Sequence, residues 1–283
     1  MTRDEQVAAQ PFVKWIGSKR RQVDRMLPCV PPTGVYVEPF LGGGALYFAA
    51  AVRAGGPLPG ARLSDVNPRV IRTFQAVRDH VDDVVDSLKR HAQSNCKEHY
   101  QTVARTIPEQ LDIVDAAAWL IYLTKTAFNG LYRVNGSGQF NAAWGKYENP
   151  LICDEPTLRA CSAMLQGVAL QVQDFRDALM EVPPGSFIYL DPPFWPAEGN
   201  RNFTHYTAAR FSPLDHQALA GYAVELRRER CTVLLSNANV PDVRALYPET
   251  LWDYTQLKVS RLVSRTMEGR IPTGELLLFG GPL

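Results

Sequence analysis

Long hydrophobic runs are absent from this 283-residue chain, and no window approaches the roughly 18 consecutive apolar residues that a membrane-spanning helix needs. The best run, Ala116 to Leu123, stops at Thr124 and Lys125 and predicts a core helix. An apolar leader is missing as well: Thr2-Arg3-Asp4-Glu5-Gln6 is polar and acidic, so export is not expected and a cytoplasmic location is. Cysteine is scarce. Cys29, Cys96, Cys153, Cys161 and Cys231 form no C-x-x-C pair, which excludes a disulfide framework and a zinc ribbon and predicts reduced, mostly buried thiols. His91, Cys96 and His99 lie close in sequence but lack a fourth ligand and zinc spacing, so a solvated helix face is expected and no metal. Neither sign of charge dominates: 30 Lys+Arg against 29 Asp+Glu neither demands nor forbids a nucleic-acid partner. With 46% hydrophobic and 21% charged residues, disorder and a coiled coil are excluded, and a folded globular chain is expected.

Charge is instead local. Lys14, Lys19, Arg20, Arg21 and Arg25 face one anion, Asp24, between Pro11 and Arg25, and a second basic run comprises Lys258, Arg261, Arg265 and Arg270. The apolar, β-branched and aromatic run Val35 to Phe40 reads as a strand, Leu41-Gly-Gly-Gly44 as a turn and Ala45 to Val52 as a helix. A second strand, Ala61 to Asp65, precedes Asn67-Pro68, which opens a helix; together these make a βαβ unit. Residues 69 to 125 show helical spacing (Val77, Val81, Val84, Val85, Leu88) and few strand signals, so a helical insertion is expected. Thr126 to Tyr147, rich in Gly, Asn and aromatics, predicts a hairpin and loop. β/α alternation then returns: strands at 169–172, 187–190 and 232–235, a helix from about Leu214 to Glu229, and a terminal pair at Thr255–Val263 and Glu275–Phe279. One discontinuous α/β domain hosting an insertion is predicted.

Two strands that each end in a carboxylate, the first followed by a glycine turn into a helix, are how doubly wound sheets hold an adenosine-containing ligand. Glycine lets the ligand approach the backbone, and an acid grips the ribose. Glu38 to Gly44 has neither dinucleotide-fingerprint nor phosphate-loop spacing, and by itself serves a tight turn equally well. The apolar run Ile188-Tyr-Leu190 ends in Asp191-Pro192-Pro193-Phe194. Proline removes a donor and fixes φ, which leaves the Asp191 carboxylate and the Pro192 carbonyl as acceptors beside an aromatic ring. An exocyclic amino group offers two N–H donors on a flat ring, so such a site suits a flipped-out base stacked on Phe194. A strand cap and turn would use the same tetrapeptide.

The chain resembles the Dam-type DNA adenine-N6 methyltransferases over most of its length. Pro11 to Lys19 is similar to their N-terminal motif, Val37 to Gly44 to their cofactor loop, Ser64 to Asn67 to their ribose motif, and Asp191-Pro-Pro-Phe194 to their catalytic tetrapeptide. Phe128 to Asn135, Gly138 to Asn141 and Trp144 to Tyr147 look like their DNA-recognition segment; Phe203 to Tyr206 and Leu235 to Asn237 look like the segments behind the site. The resemblance implies a class I methyltransferase, Rossmann-like α/β doubly wound sheet, with a catalytic domain at 1–70 and 160–283. It further implies a mainly helical DNA-recognition insertion at 71–159. Implied for S-adenosylmethionine are Trp15, Lys19, Glu38, Pro39, Phe40, Gly42, Gly43, Asp65, Asp174, Phe175 and Asp191; for catalysis, Asp191, Pro192, Pro193 and Phe194. Double-stranded DNA is implied as partner of Lys14, Asn129, Leu131, Arg133, Asn135 and Tyr147, with no obligatory protein partner.

The implied reaction is direct transfer to N6 of adenine, with GATC the leading candidate target. Asp191 and the Pro192 carbonyl would aim the amino lone pair at the methyl group. Two departures from the family pattern stand out: Phe194 where tyrosine is more frequent, and Ala142-Ala143-Trp144 in place of Val-Pro-Phe. Cytosine-N4 methylation would use the same two acceptors and is disfavoured by motif order. Asp191 disfavours a glutamine methyltransferase, which resembles Asn-Pro-Pro-Tyr, and a catalytically silent DNA-binding subunit.

Overall fold

Val37, Ile188 and Leu190 point to one face of a seven-stranded sheet while Tyr36, Phe187 and Tyr189 point to the other, the period-two signature of strands covered on both sides. The computed structural model describes residues 7–195, 211–257 and 274–283. Its elements are α1 (Val23–Met26), β1 (Tyr36–Glu38), α2 (Ala45–Ala54), β2 (Arg62–Asp65), α3 (Pro68–Asp79), α4 (Val81–Gln93), α5 (Lys97–Arg105), α6 (Ile113–Thr126) and α7 (Glu155–Leu165). There follow β3 (Ala169–Val172), α8 (Phe175–Met180), β4 (Phe187–Leu190), α9 (Pro213–Arg228), β5 (Thr232–Ala238), α10 (Pro241–Leu246), β6 (Asp253–Leu257) and β7 (Glu275–Gly280).

The strand order is β3-β2-β1-β4-β5-β7-β6; β7 runs antiparallel to both its neighbours and the other pairings are parallel. This is the Rossmann-like methyltransferase architecture expected from the sequence. Order reverses between β1 and β4, so the crevice beyond their carboxyl ends is where such sheets bind ligands. Glu38 ends β1 there, and Asp191 directly follows β4.

Local chemistry sets the helix ends. Gly44, at φ +66°, starts α2, where an added Cβ would press on Phe74 at 3.2 Å. The Asn67 side chain accepts from the Arg69 N–H and Pro68 occupies the first turn of α3, and a Ser212/Asp215 capping box opens α9. Helices α8 and α9 cover one face of the sheet; α2, α3, α6 and α7 join one continuous apolar cluster on the other. That cluster runs from Phe12, Phe48 and Phe74 through Val84 and Leu88 to Trp119 and Tyr122, so the 69–125 helices share the core of the sheet. Phe74 is fully buried, 4.8 Å from the Phe12 ring and 6.0 Å from Phe48. Phe74→Ala is expected to cost about 3–5 kcal/mol in a denaturant titration, because a ring-sized cavity forms beneath the glycine turn.

Several elements differ from the reading of the sequence. β5 continues through Ser236 and Asn237 to Ala238, and α1, α7, α8 and α10 carry too short or too mixed a pattern to stand out. The His91 and His99 face is not simply solvated: the rings meet across α4 and α5, Nδ1 to Nε2 at 2.9 Å, and His91 stacks on Tyr122 at 4.8 Å. Burial then holds the His91 imidazole neutral, its pKa pushed down to about 4. Of the five thiols, Cys161 and Cys231 are buried, Cys29 and Cys153 intermediate and Cys96 exposed. The second basic run, the Phe203 segment and Thr2 to Gln6 lie outside the described residues. Among the described residues no helix is long and apolar enough to cross a membrane, and no group of three or more His, Cys, Asp or Glu could hold a metal ion.

Candidate active site

At the carboxyl end of β1, Glu38 is 2% exposed and accepts a hydrogen bond from the Tyr36 hydroxyl at 2.7 Å. Burial raises its carboxyl pKa to about 8, and the Asp191 and Asp65 charges push the same way against the Tyr36 bond. Pro39 and Phe40 follow, Phe40 stacking on Phe175 at 5.6 Å. Gly42, at φ +49°, donates its N–H to Asp65 Oδ2 at 2.9 Å; the Asn67 N–H donates to Oδ1 at 2.9 Å. Asp65 thereby fixes the glycine turn against the end of β2, while each oxygen keeps a second lone pair.

Trp15 lies against this turn. A Cβ on Gly42 would come within 2.9 Å of its Cδ1, and one on Gly43 within 3.4 Å of its Cβ. Four residues on, the buried Lys19 ammonium donates to Asp191 Oδ1 at 2.7 Å, to Oδ2 at 2.9 Å and to the Gly17 carbonyl at 3.0 Å. It also sits 4.6 Å from the Phe194 ring centre and 3.4 Å from Glu275 Oε1. Burial raises the Asp191 pKa, and the Lys19 charge and hydrogen bond oppose that rise. Pro192 is buried, Pro193 half-buried, and the Trp195 N–H donates to Asn237 Oδ1 at 3.0 Å, which ties the tetrapeptide's exit to β5. The Trp15, Lys19, Glu38, Gly42, Gly43, Asp65 and Asp191 group thus surrounds the β1/β4 crevice. Asp174 and Phe175 begin α8 to one side of it. The Asp174 side chain caps α8 by accepting from the Arg176 N–H at 2.9 Å, and Phe175 is buried under Phe40.

Residues 15–264 match the family described as D12 class N6 adenine-specific DNA methyltransferase. The chain belongs to that family. A type II methyltransferase of Methanocaldococcus jannaschii is 33% identical over 255 residues, 84% of this chain and 88% of that protein. A type II methyltransferase of Lactococcus lactis subsp. cremoris is 32% identical over 247 residues, 85% of each chain. The DNA adenine methylase of Escherichia coli (strain K12) is 28% identical over 278 residues, 96% of this chain and 95% of the relative.

In this adenine-specific DNA methyltransferase the 126–147 segment is a loose hairpin, bridged antiparallel at Val134–Phe140 and Ala127–Trp144. Tyr132 and Phe140 sink into the core, and Arg69 of α3 binds the Tyr132 hydroxyl at 3.2 Å and the Gly138 carbonyl at 2.8 Å. Tyr132 stacks on Trp15 at 5.0 Å, so hairpin and glycine turn share a wall. Asn135 folds the tip, its Oδ1 accepting from the Ser137 and Gln139 N–H groups. Exposed Arg133 donates from Nε to Asn141 Oδ1 and from Nη2 to the Asn141 carbonyl, both at 2.8 Å. Lys14 and Tyr147 meet, ammonium to ring centre 5.2 Å, and the Tyr147 hydroxyl accepts from the Asn129 N–H at 2.9 Å. Leu131 is half-buried and packs against the core. Sequence reasoning missed Glu275, Gln22 and Arg69; each is a common residue type whose role exists only through a partner far along the chain.

Proposed function

We propose that this enzyme moves a methyl group from S-adenosylmethionine to N6 of an adenine swung out of double-stranded DNA, with GATC the first target to test. It acts in the cytoplasm without an obligatory protein partner. The observation that carries the reading is the Lys19–Asp191 contact: it joins the N-terminal motif to the catalytic tetrapeptide, 172 residues away, beside Glu38. We further propose that 1–70 with 160–283 forms the catalytic part and that 71–159 recognises DNA.

The donor set fits the cofactor. S-adenosylmethionine carries a sulfonium, an α-ammonium and a ribose diol, and the crevice offers the carboxyl groups of Glu38, Asp65 and Asp191 around a glycine turn. Glu38 to Gly43 with Trp15 would hold the amino-acid end, Asp65 the ribose, and Asp174 with Phe175 the adenine. When bound, the cofactor supplies an electrophilic methyl carbon. The chain's own residues do the rest. Asp191 and the Pro192 carbonyl accept from the two amino N–H groups and turn the nitrogen lone pair toward that carbon, while Phe194 stacks on the base. Once the methyl group is transferred, Asp191 would take the surplus N6 proton and pass it to water. Catalysis here is orientation and electrostatic preorganisation.

Arg133 supports the specificity reading. Asn141 engages one N–H of Nε and one of Nη2, so both terminal nitrogens retain hydrogens for a guanine O6/N7 edge. Lys14 and the other N-terminal cations suit phosphates. The test is modification sequencing of unmethylated plasmid treated with protein and S-adenosylmethionine. N6-methyladenine at one short recurrent motif is expected, and Arg133→Ala is expected to relax one base of it at a cost of about 1–3 kcal/mol in discrimination. N4-methylcytosine, or no modification by a protein that binds cofactor, would overturn the reading. Equal weakening on every sequence would make Arg133 a phosphate contact.

A further inference from the structure

The Lys19 ammonium is shared between two carboxylates. It contacts both oxygens of Asp191, and on its other side stands Glu275, the first residue of β7, whose side chain is 8% exposed and whose Oε1 lies 3.4 Å away. The second Glu275 oxygen accepts from Gln22 Nε2 at 3.3 Å, which fixes the carboxylate. β7 holds this position through both neighbours, with Glu275 in register with Ala238 of β5 and Leu257 of β6. None of the motifs singled out in the sequence includes Glu275.

We infer that Glu275 is a positioning residue that draws the Lys19 ammonium away from Asp191 when the target amino group arrives. The inference rests on reading Asp191 as the acceptor of that group. With Lys19 across both of its oxygens, Asp191 has its negative charge largely matched, which weakens it as an acceptor for the amino N–H. A second anion behind the ammonium lets the contact lengthen without stranding a buried cation, whose isolation would be far costlier than a shift of partner. Lys19 thus trades one carboxylate for another, and Asp191 regains an oxygen with its charge. No covalent step is added; only a hydrogen-bonded cation moves.

Removing the Glu275 charge has a directional consequence. Among the described residues, the groups facing Asp191 are Lys19 from the N-terminal turn, Glu38 from β1, Tyr189 of its own strand, Ser236 of β5 and, across Lys19, Glu275. Loss of one negative charge in this set favours ionised Asp191, so the acid limb of the methylation rate moves to lower pH by roughly one unit. In the same variant Lys19 is committed to Asp191, and the plateau rate falls about tenfold or more. A defect that merely loosened β7 would lower the rate at every pH and leave the limb where it was.

The test is the single-turnover rate of methyl transfer from tritiated S-adenosylmethionine, held saturating at every pH, to duplex DNA, from pH 5 to 9, for the wild-type chain, Glu275→Gln and Glu275→Asp. Expected are a lower plateau with a limb displaced to acid pH in Glu275→Gln, and a wild-type limb in Glu275→Asp, which keeps the charge. A Glu275→Gln profile equal to wild type, or one lowered uniformly with no displaced limb, overturns the inference. If Glu275→Gln does not fold, Glu275→Asp decides, because a displaced limb there equally overturns it. A wild-type chain that transfers no methyl group at all would instead refute the underlying reading of Asp191.

Discussion

Asp191→Ala is expected to lower methylation about a hundredfold to a thousandfold while leaving duplex binding within about threefold. The size of the effect follows from the role proposed for the carboxylate, one of two acceptors that would orient the amino nitrogen: a preorganised electrostatic contact of this kind is worth roughly 10²–10³ in rate. Removing it also abolishes the ion pair that sets the position of Lys19 near the crevice. DNA affinity, by contrast, comes mainly from phosphate contacts made by cations elsewhere. A buried ammonium without its principal partner destabilises the fold by about 3 kcal/mol, so the comparison requires protein shown by thermal melting to be folded at the assay temperature. Tritium incorporation and an electrophoretic shift measure the two quantities separately. Near-wild-type incorporation by folded Asp191→Ala would end the mechanism proposed above.

Cofactor affinity is expected to rise about a hundredfold between pH 6 and pH 8, and the cause is Glu38. Burial, reinforced by Asp191 and Asp65, lifts its carboxyl pKa from the usual 4.5 to about 8, so it is mostly protonated at neutral pH. A cationic ligand favours the ionised form, so binding expels a proton and affinity climbs tenfold per pH unit until about pH 8, then levels. The same shift acts on folding. Because the folded-state pKa is raised, the unfolded chain ionises first as pH increases; this group's contribution to stability is full below about 4.5 and declines through about 8. Glu38→Gln copies the neutral form and is expected to flatten both dependences. Calorimetry at pH 7 in buffers of different ionisation heat reads the proton directly. Equal affinity at pH 6 and pH 8 with no proton released would refute the assignment.

The parts of the fold that were legible in the sequence are those in which a residue's neighbours along the chain are also its neighbours in space. Tyr36 to Glu38, Phe187 to Leu190 and the glycine turn at 42–44 declare themselves by alternation, composition and φ requirement. Motif order then supplied the sheet they belong to. What stayed hidden is long-range pairing. Glu275 looks like any strand residue until β7 is threaded between β5 and β6 and faces Lys19. Arg69 belongs to none of the sequence motifs, yet it ties down the hairpin at Tyr132 and Gly138. His91 and His99 sit on different helices, and only the packing of α4 and α5 over Tyr122 brings their rings together.

The single apolar cluster that runs from Phe48 and Phe74 to Trp119 and Tyr122 limits how this scaffold acquires a new target. A recognition part with its own core can be exchanged whole between relatives, because its removal exposes little. Excising these helices would uncover the sheet-side layer at Phe12 and Phe48, so the exchangeable piece is smaller. It is the hairpin tip from Arg133 to Asn141, closed by its own hydrogen bonds and held to the body by Tyr132, Phe140 and Arg69. With the hairpin as the proposed DNA-reading element, new sequence preferences are therefore expected from point changes in its about nine residues of loop rather than from exchange of the helices beneath it.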